Sequence, residues 1–286
     1  MTSSAKPIER EFTVNGLKIA AKEWHPESKL HAIALHGWLD NANSFDMLAP
    51  LLPELNLMAI DCAGHGKSDF RSADAPYLIW SDIAEVIGIA DQLGWDKFVL
   101  IGHSRGANIA SMIAGTFPAR LSHLVLIEGG IPSFVEPEKT PEQLANSIIE
   151  DQQAVGTTGT LFPTFERAVA ARAEGFISVD IATAETLAAR SLLSEDGGYR
   201  WRADPRLKLS SHWKLSEPQR QAFFDRMTMP ILLIEAVHGL VDQLGVDVSP
   251  LLSIPTLKRL DIPGKHHFHM EGSEAAIGEQ ISAFVQ

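Results

Sequence analysis

Gly102-His103-Ser104-Arg105-Gly106 sets a serine between two glycines, each two residues away, and the flanking sequence gives that spacing chemical meaning. An apolar run, 97–101, precedes it and a helix-like stretch, 107–117, follows, so the pentapeptide reads as a strand, a sharp turn and a helix. Glycines at the two outer positions let strand and helix approach without side chains between them. Ser104 then stands at a helix N-terminus, where the helix dipole and the free N–H of Arg105 favour negative charge. A nucleophile that passes through an anionic tetrahedral intermediate needs that setting. Taken alone, a Gly/Ser turn is also an ordinary strand-to-helix connection; the strand before it and the helix after it favour a catalytic serine.

A serine hydroxyl is a poor nucleophile until a histidine takes its proton, and the histidine needs a carboxylate to hold its tautomer. The chain offers histidines in Gly264-Lys265-His266-His267-Phe268-His269-Met270-Glu271, which follows the last strand-like run. Three histidines in four positions also raise the question of a metal, but no cysteine or H-E-x-x-H helix accompanies them, so no metal ligand is expected. A second anion-stabilising element is His36-Gly37-Trp38 after the third strand-like run, where the backbone N–H of Trp38 is able to aim at the same oxyanion as that of Arg105. Without the serine motif it would read as a turn with an aromatic residue packed above it.

The elements that must position these groups alternate along the chain. Short apolar runs at 11–14, 17–24, 31–35, 57–60, 98–101, 124–127, 231–235 and 257–262 predict strands; 44–52, 81–93, 104–117 and 273–284 predict helices. Such alternation is the sequence form of an α/β fold: an eight-stranded, mostly parallel sheet with helices on both faces. Asn15-Gly16 predicts a tight hairpin, so the sheet begins antiparallel. From 131 to about 229 the alternation stops and helical patterns at 142–155, 165–174 and 183–193 take over. A stretch of that length is no loop, and it predicts a helical cap inserted after strand six. The expected division is a core of 1–130 and 230–286 with a cap of 131–229.

Composition narrows the classes. The 286 residues carry 36 Asp and Glu against 24 Lys and Arg, a formal charge of −12. Binding to nucleic acid or an anionic membrane needs clustered Lys and Arg, so neither partner is expected. No segment has the length and apolarity of a signal peptide or a membrane span. A single cysteine, Cys62, cannot form an internal disulfide, which fits a cytoplasmic protein.

The chain resembles the α/β-hydrolases over nearly its whole length. The stretch Leu35-His36-Gly37-Trp38-Leu39-Asp40-Asn41, then Asp61-Cys62-Ala63-Gly64-His65-Gly66-Lys67-Ser68, the serine motif, the 264–269 loop, 230–239 and 198–205 are similar to the serine-hydrolase-like branch. The resemblance implies hydrolysis of a carboxylic ester or related small acyl compound, with no cofactor. Its Gly-x-His-x-x-His spacing implies His266 as base, with His267 as competitor. Its commonest pattern puts the acid just beyond strand seven, where this chain has Gly239; the acid then comes from Glu128, at the end of strand six, or from Asp242. Asp61, His65 and Ser68 belong to a loop that is usually structural in this fold, His103 is expected to pack, and Tyr199 and Trp201 are candidates to line the pocket. Dehalogenase and epoxide-hydrolase chemistry is disfavoured, because displacement at an sp3 carbon needs a carboxylate where this chain has Ser104. A carbon–carbon hydrolase, lactonase or thioesterase would use the same parts, and a non-catalytic binding protein on this fold is the alternative of another class.

Overall fold

The computed structural model describes residues 6–286. A hairpin of β1 (Ile8–Val14) and β2 (Leu17–Trp24) turns at Asn15 and Gly16, whose φ values of 50° and 81° suit a tight two-residue turn. Next come β3 (Leu30–Leu35), β4 (Leu55–Ile60), α1 (Asp82–Gln92), β5 (Phe98–His103), α2 (Arg105–Thr116) and β6 (Leu121–Ile127). A long insertion then holds α3 (Thr140–Ala154), β7 (Leu161–Phe162), α4 (Phe165–Ala173), α5 (Ile181–Ser191), β8 (Leu192–Glu195), β9 (Gly198–Trp201) and α6 (Glu217–Phe224). The chain closes with β10 (Ile231–Ala236), α7 (Leu240–Gln243), α8 (Ser249–Leu252), β11 (Leu257–Ile262) and α9 (Glu274–Val285).

Eight strands form one sheet in the order β1-β2-β4-β3-β5-β6-β10-β11, antiparallel through β1, β2 and β4 and parallel from β4 onward. Strands β4, β5 and β10 are buried at every position, as a parallel sheet covered on both faces requires. The two-residue period of a strand divides the core. Ile33, Leu35 and Leu100 join Ile113 of α2 and Phe224 of α6 on one face, while Ala32, Ala34, Val99 and Ile101 meet Ile277 and Ile281 of α9 on the other. The parallel strands point their C-terminal ends the same way, and the loops that carry the serine and histidine motifs all leave from that edge.

Residues 44–52 do not form the predicted helix. Two 3₁₀ turns, Ala42–Phe45 and Ala49–Leu51, take their place. Pro50 lacks the N–H for an α-helical bond and its ring would meet the carbonyl four residues earlier, so no continuous α-helix runs through it; it sits instead in the first positions of the second turn, and Phe45, Leu48 and Leu52 still reach the core. The insertion is also more than helices. An antiparallel sheet in the order β7-β9-β8 is built on a two-residue Asp196-Gly197 hairpin, and α5 ends at Ser191 rather than running to 193.

Side chains tie the insertion to loops at the C-terminal edge of the sheet. Trp38 Nε1 donates to the Leu207 carbonyl at 2.9 Å, Asn41 Nδ2 to the Leu187 carbonyl at 2.9 Å, and Tyr77 Oη to Asp204 at 2.7 Å. Arg190 Nε pairs with buried Asp61 at 2.8 Å. No helix among the described residues is long and apolar enough to cross a membrane.

Candidate active site

Ser104 is the single residue between β5 and α2, with φ 53° and ψ −118°. A non-glycine residue there stores roughly 1–3 kcal/mol of strain and persists only where its surroundings dictate it. Three contacts do so. A Cβ at Gly106 would overlap the carbonyl of Leu35, one at Gly102 would lie 2.5 Å from the Gly106 carbonyl oxygen, and Ser104 N–H donates to the Ile127 carbonyl at 2.9 Å. The strain turns the serine out of the sheet and into a line of hydrogen bonds.

His266 Nε2 lies 2.9 Å from Ser104 Oγ, and its Nδ1 lies 3.1 Å from Glu128 Oε2. Glu128 itself has φ 51°, a left-handed residue at the end of β6 that swings its side chain across to the neighbouring strand. The N–H of Ala236 donates to Oε1 at 2.6 Å and that of Leu240 to Oε2 at 2.9 Å, so both carboxylate oxygens are anchored. Gly239 accounts for the space they occupy: a Cβ built there would collide with both oxygens of Glu128. The carboxylate from β6 thus fills the volume beside the position where the commonest family pattern has its own acid. Asp242 is exposed on α7.

The turn from Gly37 to Asp40 closes with Asp40 N–H donating to the Gly37 carbonyl at 3.2 Å, and Leu39 takes φ 61°. Trp38 N–H, inside that turn, and Arg105 N–H, in the first turn of α2, have no acceptor among the described residues. Beneath the turn, buried His36 accepts from Cys62 N–H at 3.0 Å through Nε2 and donates through Nδ1 to the Gly37 carbonyl at 2.8 Å. Burial pushes its ring pKa down, so this neutral tautomer persists. Asp61 accepts from the N–H groups of Ala42 and Lys67, and Ser68 Oγ donates to the Asp61 carbonyl, so that loop is braced internally.

His267 turns away from the serine. Its Nε2 sits 3.1 Å from Asp40 Oδ2, while Arg172 of α4 holds Asp40 Oδ1 at 2.8 Å. Burial raises the Asp40 carboxyl, but His267 and Arg172 outweigh it and hold its pKa well below the usual carboxylate range. His103 donates through Nε2 to the His266 carbonyl at 3.0 Å, and His269 Nε2 meets Ser44 Oγ at 2.9 Å. Burial first, then the neighbouring rings, keeps His103 far below the ordinary histidine range and His269 at about 3. One atom each of Asp40, His103 and His267 lie within 4.8 Å of one another, a spacing open to a metal ion. The donor set fits one poorly, because the Arg172 guanidinium already supplies the positive charge at Asp40 and stands 3.4 Å from His267 Nε2. Asp40 and Arg172 were not among the sequence candidates; a lone acid in a turn and an arginine on a distant helix carry no local signal.

Two cavities lie around the site, and the smaller one reaches Ser104. The smaller, about 150 Å³, touches Ser104, Glu128 and His266 and is walled by Leu240, Val241, Leu244 and Val248. The larger, about 310 Å³, reaches Trp38 and Arg105 and shares Asn108 and Ile131 with the first. Tyr199 and Trp201 line neither. Tyr199 instead sits edge-on to Phe165, ring centroids 6.0 Å apart, and Trp201 packs on the small apolar cluster around Val169 and Ala184.

Known proteins resemble the chain in sequence and in shape. Residues 33–155 match the family model of the alpha/beta hydrolase fold. A serine hydrolase-like protein of Dictyostelium discoideum is 32% identical over 91% of this chain and 76% of its own length. Serine hydrolase-like protein 2 of Homo sapiens is 27% identical over 100% of this chain and 97% of its own. In shape, the crystal structure of a hypothetical protein from Pseudomonas aeruginosa PAO1 superimposes with a TM-score of 0.89 at 35% identity, covering 96% of this chain and 97% of that one.

Proposed function

Since the chain belongs to the α/β-hydrolase superfamily, in its serine-hydrolase-like branch, and that membership supports hydrolysis, we propose that it cleaves carboxylic esters or related small acyl compounds through an acyl-enzyme on Ser104. Ser104 Oγ attacks the carbonyl carbon while His266 takes its proton; Glu128 orients the ring and stabilises the imidazolium; the N–H groups of Trp38 and Arg105 receive the oxyanion. His266 then protonates the departing alcohol, and a water activated by the same ring releases the acid. No cofactor enters these steps.

The observation that carries this reading is the unbroken line from Glu128 through His266 to a strained Ser104, with 3.1 Å and 2.9 Å between successive partners. Residues 131–229 act in it as a cap over a core of 1–130 and 230–286, supported by the hydrogen bonds that anchor the insertion around the site. A cytoplasmic setting is supported by the single, buried cysteine. A fluorophosphonate probe tests the nucleophile: the native protein should label on Ser104, and Ser104→Ala should lose both the label and about a millionfold of ester turnover. A folded native protein that resists the probe and hydrolyses no ester would instead be a binding protein on this fold.

A further inference from the structure

Charge is distributed unevenly around the two cavities of the candidate site. The chain has 36 acidic residues against 24 Lys and Arg, yet the larger cavity is bordered by Arg105 and Lys214 and by no Asp or Glu. Arg105 is neutralised by Asp82, 2.6 Å from its Nη2. Lys214 is half-buried at the cavity wall, and its Nζ has no hydrogen-bond or ion-pair partner among the described residues. Trp38, Tyr77, Trp80 and Trp213 supply aromatic walls to the same cavity. By contrast, the smaller cavity is walled by leucines and valines.

Proton delivery decides which part of a substrate enters which cavity. The leaving oxygen must come within hydrogen-bond reach of His266; His266 and Ser104 border the smaller cavity, whereas Trp38 and Arg105, whose N–H groups receive the oxyanion in this reading, border the larger. The alcohol therefore lies among the leucines and valines, while the acyl chain passes Trp38 and Arg105 into the larger space. Resting on the reading of Ser104 as acyl acceptor, we propose that the preferred substrates are monoesters of dicarboxylic acids, whose distal carboxylate is received by Lys214. The chemistry balances simply. The bond between Ser104 Oγ and the acyl carbon forms as the ester C–O bond breaks, the alcohol leaves with the proton His266 took from Ser104, and water splits the acyl-enzyme to the free dicarboxylate.

The test compares monobutyl esters of the linear dicarboxylic acids from succinate to suberate with butyl esters of neutral acids of equal length, following butanol release. The native protein should favour the charged ester by about tenfold or more in kcat/KM at its best chain length, the worth of one charge-assisted hydrogen bond. Lys214→Met should collapse that ratio through KM, Lys214→Arg should keep most of it, and added salt should narrow it. A native preference for the neutral ester at every length, or a ratio untouched by Lys214→Met, overturns the proposal. Neutral-ester turnover in the same assay keeps the serine reading separate, since it stands even if the charged ester is not preferred; loss of all turnover sinks both.

Discussion

His266 and His267 are neighbours in sequence, and each faces its own buried carboxylate at 3.1 Å, Glu128 for one and Asp40 for the other. What separates them is where the rest of each pair leads. His266 sends its second nitrogen to Ser104, whereas His267 Nδ1 meets nothing among the described residues and Asp40 is shared with Arg172 of the insertion. A carboxylate partner alone therefore does not distinguish the two histidines. The Asp40–His267–Arg172 group is a tie between the insertion and the loop that carries the proposed base, and the Glu128–His266 group is the one aimed at Ser104, the proposed nucleophile.

The comparison breaks most visibly by moving the carboxylate. Glu128→Ala should cost about ten-thousandfold in turnover, as an unpartnered base does in other triads. Gly239 has φ −78°, so an aspartate is allowed there once the Glu128 side chain no longer fills the space. Glu128→Ala combined with Gly239→Asp should therefore turn over faster than Glu128→Ala, while Gly239→Asp alone should be impaired because both carboxylates compete for one volume. Steady-state assays of the three variants check this ordering.

The second pair should show its role in stability. Asp40→Asn leaves Arg172 and His267 without a buried anion, at a cost of about 3–5 kcal/mol. Denaturant unfolding should register that loss, and the protein that remains folded should keep far more turnover than Glu128→Ala. Equal losses of turnover would mean that the two pairs are not distinct.

A smaller effect comes from acid. His269 is held at about 3 against an ordinary 6.5, so as pH falls between these values the unfolded chain takes up a proton that the native state refuses. Its contribution is fully present above 6.5 and is lost on descent towards 3; His103 and His65, also depressed by burial, act in the same direction. His269→Gln should make the melting temperature fall less steeply with acid over that range. An unchanged slope would remove His269 from this account.

Local patterns were legible and long-range ones were not. The strand, glycines and helix around Ser104 are contiguous, so sequence alone predicts the turn, and Asn15-Gly16 announces its hairpin. Glu128 was readable as a candidate because Gly239 leaves the usual acid position without a side chain. The Gly-x-His-x-x-His spacing favoured His266 over His267, but sequence could not tell which carboxylate each would meet, since both partners lie far away in the chain. Nor could it find the Arg172–Asp40 tie, which spans 132 residues, or β7, which has two residues and exists by pairing with β9. The misread helix at 44–52 carried its own warning in Pro50, overridden by a convincing apolar spacing that the 3₁₀ turns also satisfy.

The central claim is that Glu128 supplies the carboxylate for His266. Ester turnover of Glu128→Gln, measured beside Asp242→Asn, tests it most directly. Glu128→Gln keeps the shape of the side chain and removes its charge, so turnover should fall by about ten-thousandfold, while the exposed Asp242→Asn should stay within a few-fold of the native rate. Near-native turnover in Glu128→Gln, with collapse in Asp242→Asn, would contradict the account.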